Sequence, residues 1–319
     1  MTTTQRLRNL LLTQESILLI ITLLTVFFIT LRTDRFLTVS NLTAQARLMI
    51  EVGLIALPMT YIIITGGIDL SVGSIFGLSA IVMGFLWQDN SVPLELAIVI
   101  GLVSATVAGF INGAFIVWLG VPPLIMTLST LALYRGMALG ISQARSARGF
   151  PAWFFDLGAG TTLGLPNQVW IFLIAVVVFG LVLARTVFGR WVYAIGNNET
   201  GARFSGIPVN RVKLAIYTLS GVMSGLAAWI FTSRISTTRS DMGSGIELDV
   251  IAAVVLGGTS IFGGSGSILG TVLGVVLIQI LKNGLSLAGM KGDATIVAIG
   301  LILIASILLN GYIQRRFRA

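Results

Sequence analysis

The sequence predicts an all-α, polytopic membrane protein with about ten transmembrane helices, some of them short or broken. Three observations carry that expectation. Hydrophobic residues fill 55% of the 319 positions. Charged residues fill only 10%, against roughly 25% in an average soluble domain. Several apolar runs approach or pass the roughly 18 to 20 residues that cross a bilayer. One soluble core has no room for so much apolar chain, so the whole of 1–319 is expected to be a single transmembrane domain.

Along the chain, the first apolar run covers residues 16–31. Arg6 and Arg8 precede it, no small-residue cleavage site follows, and more spans come after it, so it reads as a retained helix rather than a signal peptide. Further helices are expected near 48–65, 72–86, 94–119 and 121–141. The second half continues with 168–184, 213–231, 248–261, 268–281 and 294–313. An even number of spans puts both termini on one side, and Arg6, Arg8, Arg315, Arg316 and Arg318 argue that this side is the cytoplasm. The loop after the sixth span then lies inside too, with Arg185, Arg190, Arg203, Arg211 and Lys213. Against this, basic residues divide almost evenly between the two sides. In its favour, Asp34, Asp89, Asp156, Asp241 and Asp293 all fall outside.

Composition also bounds the chemistry. With no Cys and no His, the chain offers no disulfide, thiolate nucleophile, imidazole base or zinc-type ligand set. Catalysis by this chain is not expected, nor is a metal site. The formal charge of +8 comes mostly from scattered arginines with no basic domain, which fits membrane topology and not a nucleic-acid partner. The stretch GGTSIFGGSGS lacks the Gly-Lys-Ser or Gly-Lys-Thr ending that reaches phosphates and magnesium. No cofactor is expected on this chain, and energy for active transport would come from another subunit.

Two spans, the third and the eighth, are short for the hydrocarbon layer, and each adjoins a glycine-rich junction. Gly66, Gly67, Asp69, Ser71 and Gly73 mark the first, and Gly257, Gly258, Gly263, Gly264 and Gly266 the second. Backbone that leaves the helix at membrane depth must be buried in protein or line a watery cavity. Two readings stand: a translocation path or close helix packing through small residues. Asp69 can cap the following helix through the N–H groups of Ser71 and Val72, while Glu247 and Asp249 open the eighth span, where acids are favoured. Glu51 and Arg135 lie deeper and are candidates to pair between helices.

Residues 189–213 read GRWVYAIGNNETGARFSGIPVNRVK. Glycines and Asn-Asn mark a turn, residues 198–205 suit a short helix capped by Asn198, and Gly206, Ile207 and Pro208 stop it. A compact polar element of this kind in a loop-poor protein suits a docking surface for a soluble partner. Residues 142–167 hold Arg145 and Arg148 with Phe150, Trp153, Phe154 and Phe155. These aromatics suit either a protein interface or the lipid headgroups.

Three blocks together resemble a known family, the ten-span permease subunits of bacterial ATP-binding-cassette importers for ribose-type sugars and autoinducer-2. They are GGIDLSVGS at 66–74, the 189–213 segment, and ELDVIAAVVLGGTSIFGGSGSILGTVLG at 247–274. Asn41 and Leu42, residues 122–136 and residues 283–287 add weaker agreement, so the resemblance spans 36–310. It implies a bacterial inner-membrane importer in which two permease chains, as a homodimer or heterodimer, meet two cytoplasmic ATPases that hold ATP and Mg and a periplasmic solute-binding protein. It also implies that Gly196, Asn197, Glu199, Ala202, Arg203, Ser205, Gly206 and Ile207 seat in a groove on the ATPase. The implied cargo is a ribose-, rhamnose- or xylose-like monosaccharide or autoinducer-2. The competing expectation is an ion-coupled secondary transporter of a small polar solute, for which Glu51, Asp69 and Asp249 are the candidate carboxylates.

Overall fold

The computed structural model describes residues 14–290 together with 297, 300 and 301. Apart from those three positions, the expected span 294–313 lies outside the described residues, as do Arg6, Arg8, Asp293, Arg315, Arg316 and Arg318.

Helices dominate, in chain order: α1 Gln14–Arg32, α2 Val39–Ile64, α3 Val72–Gln88, α4 Leu94–Trp118 and α5 Pro123–Ser142. A short helical stretch, Ala152–Phe155, leads into α6 Asp156–Ala159. The two-residue strands β1 Thr161–Thr162 and β2 Leu165–Pro166 then form a small hairpin. After it come α7 Asn167–Arg185, α8 Val187–Asn197, α9 Glu199–Phe204, α10 Val209–Ile235, α11 Ile246–Leu256 and α12 Ile268–Leu287. Among the described residues seven helices (α1, α2, α4, α5, α7, α10 and α12) are long and apolar enough to cross a membrane, and α3 is a shorter apolar helix.

α2 is the central post. Its second half, from Gly53 onward, is buried without interruption, because α7, α10, α11 and α12 all pack against it. Thr38 caps it by accepting a hydrogen bond from the Asn41 N–H at 3.3 Å. α10 packs most extensively on α4, and glycine explains how closely. A Cβ on Gly221 would strike the Ala105 carbonyl, and one on Gly109 would strike the Tyr217 carbonyl, so these backbones touch as small-residue pairs allow in membranes. The outward faces of α1, α4, α5 and α7 carry exposed Leu, Ile, Val and Phe, as a lipid-facing surface requires.

The eighth span differs from its expected form. A continuous helix over 248–261 is replaced by a broken crossing in which the chain leaves α10 at Ser236, with φ +62, and runs irregularly to Gly245. It then enters α11, which stops at Leu256. Eleven residues rise roughly 16 Å, about half the hydrocarbon layer. The irregular half is satisfied by Arg135, whose Nη1 donates to the carbonyls of Ser240 and Met242, each at 2.7 Å, and whose Nη2 donates to Gly73 O at 3.2 Å. Arg135 therefore does not pair with Glu51. Glu51 accepts instead from Arg234 of α10, at 3.1 Å from Nε and 2.9 Å from Nη2.

Residues 143–166 cover the end of the molecule that holds the start of α4 and the ends of α3, α5 and α10. Ala147 bridges to Thr238, Arg145 pairs with Asp89 at 2.6 Å, and the Gly158 N–H donates to Ser233 Oγ at 2.8 Å. Phe150 and Phe154 stack at 4.6 Å between centroids and are buried. These two rings serve packing, while Trp153 remains exposed.

Candidate functional site

The segment singled out at 189–213 folds as a helix–turn–helix at the end of the molecule opposite residues 143–166. Thr186 accepts from the Gly189 N–H at 3.3 Å and caps α8. Gly189 permits the tight bend out of α7, since a Cβ there would collide with Leu183 O. Gly189, Val192 and Ile195 recur at helical spacing and form the buried face of α8. Asn198 then caps α9 by accepting from the Gly201 N–H at 2.8 Å. α9 ends on Gly206, in the left-handed region at φ +79, with the Ile207 N–H donating to Ala202 O and the Gly206 N–H to Arg203 O. That pattern closes a helix through glycine.

Charges on α9 are spent on holding it in place. Arg203 donates from Nη2 to Glu199 Oε1 and from Nη1 to Asn210 Oδ1, both at 2.8 Å, and Lys213 of α10 donates to Glu199 Oε2. Partial burial raises the Glu199 pKa, but the hydrogen bonds and charges of Lys213 and Arg203 outweigh it and hold the carboxyl below its ordinary value. Among the side chains the segment exposes is Phe204, at 90%.

The inner end of α8 reaches both glycine junctions at one point. The Gly264 N–H donates to Ile64 O, the last turn of α2, at 2.9 Å. Gly196 lies against that same pair, and a Cβ there would overlap Ile64 O and meet Gly264 N at 2.6 Å. A Cβ on Gly263 would meet Ile64 O at 2.9 Å, Gly196 O at 3.0 Å and Gly66 N at 3.3 Å. Tyr193 Oη donates to Gly266 O at 2.7 Å, and Asn197 lies against Gly264. Gly66, Gly196, Asn197, Gly263 and Gly264 thus form one knot of backbone-to-backbone contact joining α8, the end of α2 and the 257–267 loop. That loop also exposes an aromatic ring, Phe262, at 96%.

The remaining junction residues lie elsewhere. Gly67 faces Tyr217 of α10. Asp69 is fully buried and accepts from the Ser71 N–H at 2.9 Å, Ser71 Oγ at 2.6 Å and Ser220 Oγ at 2.9 Å. Ser71 Oγ in turn accepts from Asn112 Nδ2 at 2.7 Å, so a polar network ties α3, α4 and α10 together. Gly73 lies against Gly243 and Glu247 of the broken span, and Gly257 against Gly270 of α12. Gly258 turns the chain out of α11 at φ +96. Ala202, Ser205, Gly206 and Ile207 belong to α9 and its cap, outside the knot. Phe204, Phe262 and Tyr193 were not singled out from the sequence. An aromatic set between Arg203 and Ser205 in a polar loop was the available signal for Phe204.

The sequence pattern of the family described as branched-chain amino acid transport system / permease component matches residues 41–307. The chain belongs to this family. Among similar proteins are the autoinducer 2 import system permease proteins LsrD of Yersinia enterocolitica, Escherichia coli K12 and Shigella flexneri. Each is 41% identical over 280 residues, covering 86% of this permease and 84% of the relative. No solved structure matches the permease.

Proposed function

We propose that this permease is the membrane subunit of an ATP-binding-cassette importer for autoinducer-2 or a ribose-, rhamnose- or xylose-like monosaccharide. In this reading the α8–α9 end faces the cytoplasm with both termini. A separate ATPase binds ATP and Mg and docks on α9, and a second permease chain completes the membrane part. The opposite end meets a periplasmic solute-binding protein. The observation that carries the reading is the glycine knot. A displacement imposed on α9 passes along α8 to Gly196 and from there directly to the end of α2 and the 257–267 loop, with no flexible side chain between them to absorb it. Phe204 on α9 and Phe262 on the 257–267 loop, two exposed aromatics, suit a partner surface.

Ion coupling receives less support. Its three candidate carboxylates all have partners: Glu51 with Arg234, Asp69 with Ser71 and Ser220, and Asp249 with Lys282. The test is affinity purification of the tagged chain from native membranes, followed by reconstitution. Co-purification of an ATPase, and uptake that needs ATP, is the expected result. Solute accumulation by the chain alone under an ion gradient would replace this reading with a secondary transporter.

A further inference from the structure

At the end opposite α8–α9, a cavity of about 430 Å³ opens between α2, α10, α11 and α12, within the roughly 300–1,000 Å³ typical of small-molecule sites. Its charged lining is balanced. Glu51 and Arg234 form one ion pair at 2.9 Å and Asp249 and Lys282 another at 2.6 Å, so two negative and two positive side chains cancel. Gln279 on α12 donates to Gln45 on α2 at 2.6 Å across the same space. Phe76 and Phe231, packed edge to face at 5.4 Å, supply an apolar wall. The irregular half of the broken span contributes Gly243 and Ser244.

This combination selects a chemical class. A charged solute would add an unbalanced charge to a set that already neutralises itself, at the cost of desolvation. A hydrocarbon would cover amides and ion pairs without satisfying them. A neutral polyhydroxylated solute suits both features: its hydroxyls can donate to the carboxylates and accept from the ammonium, guanidinium and amides, while its C–H face lies on the phenylalanines. Lys282 directs one of its three N–H groups to Asp249, and Arg234 two of its five to Glu51, which leaves donors for a guest.

We propose that this cavity is a binding station inside the permease for a neutral polyol of pentose size, formed by Gln45, Glu51, Arg234, Asp249, Gln279 and Lys282. The assignment rests on the reading of the chain as a solute importer and deepens it, by giving the permease a share in choosing the cargo. Arg135 belongs to the same device, because it holds the carbonyls that shape the Gly243–Ser244 wall.

The experiment uses the full chain in lipid nanodiscs without a binding protein, probed with tritiated D-ribose and with autoinducer-2, and the complete importer in proteoliposomes. Gln279→Leu and Gln45→Leu, on facing helices, remove the amide pair and leave both ion pairs intact. The expected result is saturable binding of at least one probe to the wild-type chain, weakened about tenfold or more in both variants, with KM for uptake raised and ATP hydrolysis unchanged. Ser129→Ala, on an outward face of α5, should change nothing. Absence of saturable binding to the wild-type chain, or wild-type binding and KM in both glutamine variants, would overturn the cavity assignment while leaving the importer reading intact. Failure of the complete assembly to accumulate any of D-ribose, L-rhamnose, D-xylose and autoinducer-2 under ATP would instead remove the importer reading and this assignment with it.

Discussion

The two ends of the molecule are built on opposite principles. At the α8–α9 end, contact between elements is backbone against backbone, through Gly66, Gly196, Gly263 and Gly264. At the other end, α2, α10, α11 and α12 stand apart around a cavity and are held by long charged and amide side chains. A contact without side chains transmits displacement and tolerates no added atom, whereas paired polar side chains bridge a gap that water or a solute can share. α2 joins the two, with Ile64 in the knot and Glu51 in the cavity wall.

The largest effect should come from breaking the charge balance. Glu51→Met leaves the partly buried Arg234 without its partner and should cost up to about 3 kcal/mol of stability, read as a lowered unfolding temperature in detergent. The double variant with Arg234→Met should recover most of that loss. Gly264→Val acts on the other end. It puts a β-branched residue at φ +78 against Asn197, with a strain cost on the order of 1–3 kcal/mol, and uptake should fall by more than tenfold. Phe204→Ser sharpens the comparison, since so exposed a ring contributes little to folding. Unfolding should not shift, while ATPase affinity should fall by about 2 kcal/mol, the burial value of one such side chain. Asn198→Ala removes the α9 cap and should cost about 1 kcal/mol, seen as weaker ATPase docking.

The smallest effect concerns pH. Because the folded-state pKa of Glu199 is lowered, its bonds to Arg203 and Lys213 stabilise α9 fully above the ordinary carboxylate value near 4.5. That contribution is lost as the pH falls through the lowered folded value. Docking measured down an acid titration should weaken at its lower limb, and Glu199→Gln should flatten that limb.

Legibility in the sequence followed the range of the interactions. α9, its Asn198 cap and its Gly206 stop were readable because capping and helix termination are decided within a few residues of each other. Long lipid-crossing helices were readable because length and apolarity suffice. That the eighth span is short and broken was readable from its glycines, but where its helix stops was not, since 248–261 is apolar enough to continue as a helix. What ends α11 at Leu256 is close backbone packing of Gly257 on Gly270 and of Gly263 on Ile64, contacts distant in sequence. The partner of Glu51 was missed for a related reason. Arg234 lies 183 residues away at the end of α10, and an arginine in the last turn of a span reads as an interfacial charge. Arg135 was misread because an arginine serving backbone carbonyls has no acidic partner to look for. The meeting of the three motif blocks at Gly196 had no sequence signal beyond the glycines themselves.

The most direct test is Gly196→Ala in the complete importer, with ATP hydrolysis and solute uptake measured in the same proteoliposomes. One methyl group at this position must displace Ile64 or the 257–267 loop while leaving Phe204 and the outer face of α9 untouched. The ATPase should still bind and hydrolyse ATP, with uptake per ATP reduced at least tenfold. Uptake per ATP equal to the wild type would contradict transmission through the glycine knot.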